Sequence, residues 1–79
     1  MNLYEYNDLD ELEQFEYLCD NGLFVADRVE GEYFIKLYQV DNFYIETYRH
    51  IEHNLIKRMR SFVNTDQLAP YIDKLDLKL

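Results

Sequence analysis

Residues 43 to 54 read FYIETYRHIEHN, and the fold turns on whether they are helix or strand. As a helix, Tyr44, Tyr48, Ile51, Leu55, Met59 and Phe62 fall on one stripe at steps of three and four. Glu46, His50 and His53 would then share a face, an arrangement able to bind zinc. As strands, FYIETYRH and NLIKRMRSF flank IEHN, and Asn54 takes the left-handed position that closes such a loop. Aromatic and β-branched residues favour strand before the turn, while composition after it is neutral. Read from these residues alone, both alternatives stay open.

The segments upstream are clearer. LFVADRV (23–29) and YFIKLYQV (33–40) are rich in β-formers, and Glu30-Gly31-Glu32 between them predicts a hairpin turn. Asp41-Asn42 predicts a second tight turn, because both side chains tolerate positive φ. Residues 8–22, DLDELEQFEYLCDNG, predict the N-terminal helix. Asp8 with Glu11 reads as its capping box, and Leu9, Leu12, Phe15, Leu18 and Cys19 as its apolar stripe. Asn21-Gly22 would stop it in a left-handed conformation. Among such neighbours Cys19 is expected to be a buried thiol.

The run YQVDNFYIETYRHIEHNLIKRMRSF, followed by LAPYIDKLDL, resembles a group of small uncharacterised bacterial proteins. They share an aromatic "FY-V-E-V" strand, an Asn-closed hairpin, a strand ending in Phe and a closing "L-x-x-Y-I-D" helix. Here these are Phe43-Tyr44-Ile45-Glu46-Thr47, Asn54, Phe62, and Leu68, Tyr71, Ile72, Asp73, Leu75 and Asp76. The match covers about the C-terminal half. It implies a hairpin over 43–62 and brings no activity. Thr47 stands where the group has valine, and His50 and His53 replace its Asp- and Pro-type turn residues.

After Phe62, Asn64 with Gln67 offers a cap, and a short helix starts there or again at Pro70, with Leu68, Tyr71, Ile72 and Leu75 as its apolar side. The expected fold is therefore α+β in one small domain spanning 1–79. It has an N-terminal helix, a four-stranded antiparallel meander and a short C-terminal helix, with the sheet covered on one face.

Charge divides the chain unevenly. Residues 1–32 hold ten acids against Arg28 alone, and residues 33–79 hold six acids against seven bases, for a net −8. An acidic N-terminal face repels nucleic acid and attracts basic partners. No apolar run exceeds four residues and the N-terminus lacks a signal-like core, so neither a membrane span nor a secretory leader is expected. One cysteine excludes an internal disulfide and fits a reducing cytoplasm. Eight tyrosines and five phenylalanines can cover a thin core or line an interface. A chain this small gains stability by pairing, so a homodimer is among the expected states.

These features point away from an enzyme. The sequence has no phosphate loop and no nucleophile elbow, and solvated helix acids do no chemistry. No catalytic residue, cofactor or metal is assigned. On a strand, Glu46 and His50 stand about 13 Å apart, which leaves His50 and His53 at the tip without a third ligand. The expected activity is protein binding, through the acidic helix (Asp10, Glu11, Glu13, Glu16) and an exposed tyrosine strip (Tyr44, Tyr48). An inhibitor of a basic partner, such as an immunity protein, an antitoxin or a nucleic-acid mimic, is one form. The alternatives are a nucleic-acid binder using Arg58 and Arg60 of the strand 55–62 with Tyr48 on the neighbouring strand, and a metal-dependent activity at the 50–53 turn. The bases of that strand also have carboxylate partners to hand in Glu46 and Glu52.

Overall fold

Residues 43–62 are a β-hairpin. The computed structural model describes residues 1–71 and orders them as helix α1 (Leu3–Asn7), helix α2 (Glu11–Asn21), strands β1 (Leu23–Glu30), β2 (Tyr33–Val40), β3 (Phe43–His50) and β4 (Ile56–Phe62), and a 3-10 helix (Thr65–Tyr71). The sheet is an antiparallel meander in sequence order, as the strand reading requires.

Each turn residue meets a backbone demand. Gly31, Asp41 and Asn54 take φ of 58°, 51° and 54°, a region that glycine and short polar residues tolerate best. Two-residue turns at 31–32 and 41–42 fix the register, pairing Glu30 with Tyr33 and Val40 with Phe43. The β3–β4 loop is longer, and Asn54 N–H closes it on His50 O at 2.9 Å.

The entry to the sheet differs from expectation. Asp8 caps no helix start but sits at the C-cap of α1, a short helix additional to the expected elements. Both helices carry capping boxes, Asn2 with Glu5 and Asp10 with Glu13, each satisfying orphan N–H groups reciprocally. Gly22 is extended, with φ −77°, so no left-handed cap forms. Glycine is needed there for closeness, because a Cβ would stand 2.6 Å from the Leu18 carbonyl oxygen.

Register sorts the strand residues onto two faces, and both faces are covered, not one. Val40, Phe43 and Ile45 face α1 and α2 and pack with Tyr6 and Leu18. Tyr6 Oη donates to Gln14 O (3.2 Å) while Gln14 Nε2 donates to Tyr6 O (3.1 Å), which locks the two helices together. Burial pushes the Tyr6 hydroxyl up to about 12. Tyr17 Oη anchors α2 by donating to the Asp41 carboxylate at 2.7 Å, a bond that holds the carboxyl below its usual range. On the opposite face Ala26, Leu37 and Phe62 pack with Tyr71, which the 3-10 helix delivers. Asn64 caps that helix, its side chain accepting from Asp66 N–H at 2.8 Å. Of the expected C-terminal stripe, Leu68 and Tyr71 pack inward, while Ile72 and Leu75 lie outside the described residues.

The positive φ at Asn54 yields a direct test. Asn54→Val should lower unfolding free energy by about 1–2 kcal/mol, the cost of a β-branched residue in the left-handed region, while Asn54→Gly should be nearly neutral. Urea titration of the two variants measures the difference.

Candidate functional site

Two places on the sheet hold chemistry worth weighing, one on each face. The first is a buried carboxylate. Alternation along β3 aims Tyr44, Glu46 and Tyr48 at the face that the 3-10 helix covers, and Glu46 is fully buried there. Arg60, its register partner on β4, donates from Nε (3.0 Å) and pairs through Nη2 (2.9 Å). Arg28 reaches it from β1 with Nη2 at 3.3 Å and also pairs with Glu30. The hydroxyls of Tyr48 (3.3 Å) and Tyr71 complete the shell.

Two guanidiniums against two carboxylates make this network neutral, and every bond to Glu46 is charge-assisted. Burial pushes the Tyr71 hydroxyl well above the usual tyrosine range, and donation to Glu46 pushes it further. Burial pulls Arg28 down, but its bonds to Glu30, Tyr71 and Glu46 outweigh this and raise it. Such a saturated carboxylate has no free lone pair aimed at a cleft. Its work is structural: it ties β1, β3, β4 and the 3-10 helix to one point. Cross-strand pairing of Arg60 with Glu46 was legible in the sequence, but the parts played by Arg28 and Tyr71 were not.

The second place is on the helix-covered face. α2 covers only part of the sheet, leaving a groove of about 260 Å3 between the helix and β2–β3. Phe15, Leu18 and Cys19 form one wall, while Phe34, Thr47, Arg49 and Ile56 lie across from them. A shallower extension runs between Leu12 and Phe15 on α2 and Leu55, Ile56 and Met59. The apolar stripe of α2 is therefore largely uncovered. Leu12 is 67% exposed and Phe15 39%, and only Leu18 is buried. Cys19 is exposed as well, against the expectation of a buried thiol. One residue beyond Leu18 the helix has turned about 100°, so Cys19 leaves the core and faces the open groove.

Cations stand on the floor of this groove. The Arg49 guanidinium lies 5.1 Å from the centre of the Phe34 ring, and Lys36 Nζ lies 5.8 Å from it. The register neighbours of Arg49 are Phe34 and Ile56, both apolar, and among the described residues Arg49 forms no ion pair.

The residues singled out from sequence are distributed as follows. Glu11 and Glu16 are exposed on α2, while Asp10 and Glu13 are the two halves of its capping box. Tyr44 and Tyr48 are half-buried, correcting the expectation of an exposed strip: Tyr44 stacks on Phe62 (5.6 Å), and Arg58 lies over the Tyr48 ring (4.5 Å). Arg60 is committed to Glu46 and Gln67. At the β3–β4 turn, His50 and His53 stack with ring centres 4.5 Å apart. His50 Nδ1 accepts from Glu52 N–H (3.2 Å) and Nε2 faces Glu32 at 3.3 Å, so both its nitrogens are engaged. Glu46 points into its own buried network and not toward them. Among the described residues no three His, Cys, Asp or Glu side chains converge as a metal site, and no helix is long and apolar enough to cross a membrane.

Comparison with protein-family models, with curated proteins and with solved structures finds no match.

Two measurements test the buried network. Glu46→Ala should lower unfolding free energy by about 3 kcal/mol, because it leaves Arg28 with Glu30 alone, strips Arg60 of its carboxylate and removes the acceptor of the buried Tyr71 hydroxyl. Arg60→Ala should cost less, since that side chain is partly exposed and the carboxylate keeps its other donors. Urea denaturation separates the two. In alkali, Tyr6 and Tyr71 keep their protons in the folded state beyond the pH where an unfolded tyrosine, near 10, loses its own. The folded state then binds more protons, so stability should be intact below about pH 10 and fall above it. Absorbance at the phenolate band should show late-titrating tyrosines that become ordinary in denaturant.

Proposed function

We propose that this protein works by binding another protein through α2 and the groove beside it. The observation that carries this reading is the exposed apolar stripe of a helix that is otherwise acidic. Leu12 and Phe15 stand in water although the sheet beneath has apolar floor to spare. Contiguous exposed apolar surface rimmed by charge is how interaction sites differ from ordinary surface.

Glu11 and Glu16 flank the stripe, and among the described residues they form no ion pair. Residues 1–27 contain no lysine or arginine at all. A basic partner would be drawn in by this field and held once apolar side chains seat beside Leu12 and Phe15. An inhibitor that offers its acidic helix to a basic protein, acting in the cytoplasm where Cys19 stays reduced, is the concrete form. Neither a chemical step nor a cofactor belongs to this reading.

The test is capture from the source cell with the immobilised protein at low ionic strength. A basic protein should be retained, and it should be lost as salt rises and the screening length falls from about 10 Å to about 3 Å. Reversing Glu11 and Glu16 to lysine should abolish capture while the protein stays folded, because neither closes a cap and a lysine in the first turn of α2 costs only about 0.3–1 kcal/mol. Equal capture by the reversed protein would refute the reading.

A further inference from the structure

The surface proposed above asks its partner for apolar side chains and positive charge, and the chain itself carries both. Phe34 and Ile56 line the groove, with Arg49 lying against the Phe34 ring. Lys36 stands on the same side, opposite Asp27 in the register. In a single copy these cations and the acids of α2 form no ion pair with one another. We infer that the occupant of the groove is a second copy of this chain, docked face to face about a two-fold axis with each α2 in the other's groove.

Three observations support this. The first is charge complementarity. Glu11 and Glu16 border the exposed stripe, while Arg49 has only apolar register neighbours. A two-fold axis sets the acids of each copy against the cations of the other, with Leu12 and Phe15 enclosed between. The second is area. The molecule measures 34 × 33 × 18 Å, a thin slab whose broad face can supply the roughly 800 Å2 per partner that a standard interface buries. The third is closure. Both wall and floor lie on the same face, so an isologous pair satisfies every copy and leaves no free groove to propagate a filament.

The inference rests on reading α2 and its groove as a docking surface, and it names the partner. Sedimentation equilibrium of the full chain, from about 1 µM to about 200 µM, tests it across the range of affinities a standard interface gives. The protein should be a dimer within this concentration range. Leu12→Glu and Arg49→Glu should each be monomeric at concentrations where the wild type is paired, with unchanged circular dichroism. Mixing Arg49→Glu with the Glu11→Arg/Glu16→Arg variant should restore a one-to-one pair, because one set of contacts is native and the other is reversed on both sides. That rescue cannot come from a variant that merely misfolds.

A wild type that stays monomeric throughout would overturn the inference. If that monomer still captures a basic protein in a salt-dependent manner, only the second copy is removed and the docking surface stands. A dimer left intact by both Leu12→Glu and Arg49→Glu would also overturn it, since the pairing would then use another face.

Discussion

A carboxylate with no access to water sits at the middle of this sheet, and the lower face is organised around it. Burying an ionised glutamate costs several kcal/mol unless partners replace its hydration. Glu46 obtains them from β1, β4 and the 3-10 helix at once, through Arg28, Arg60 and Tyr71. None of those elements can shift without leaving a charge stranded, so a single side chain fixes the outer strands and the C-terminal cover relative to β3. The turns already fix the register of β1–β3, and Glu46 adds the tie to β4 and to the 3-10 helix. Here register carries an electrostatic penalty for error.

The upper face is held differently. Tyr6, Leu18, Val40, Phe43 and Ile45 form an apolar core that is dense but small, and α1 and α2 are fastened by hydroxyl and amide bonds at its edges. Two short helices reach across only part of the sheet. The groove beside α2 follows from that shortfall: the helix ends at Asn21, leaving Phe34 only half-buried beneath Arg49 and Ile56 exposed. The uncovered apolar surface thus lies on the helix face, beside a buried core of its own. This division is why the binding reading attaches to α2 and not to the tyrosines of the central strands.

The ambiguous stretch FYIETYRHIEHN shows which signals carried and which did not. Its helical stripe arose by coincidence, because Tyr44, Tyr48 and Phe62 also share a strand face. The residues alone left both readings open and only the resemblance implied a hairpin; in the structure Asn54, at φ 54°, closes the loop that the hairpin needs. Strand ends and turns were legible from Gly31, Asp41 and Asn54 for the same local reason. The cap of α2 lies two positions beyond the expected one: Asp8 and Asp10 look equally able to start a helix, and in the structure Asp8 ends α1, whose Tyr6 packs on Phe43, while Asp10 starts α2.

The sequence by itself determined the turn positions, the α+β class and the acidic character of α2, but not the short α1 before it. Those depend on side-chain periodicity and on φ preferences, which act over a few residues. Only the tertiary structure decided which apolar residues are covered. Periodicity placed Leu12, Phe15 and Cys19 beside Leu18 on one stripe, but how far the sheet extends beneath that stripe is a long-range fact of helix placement. Likewise Glu46 could be seen opposite Arg60, whereas its enclosure by Arg28 and Tyr71 required three distant segments to meet. Burial is a property of the assembled layers, and it separates the structural carboxylate from the surface available for binding.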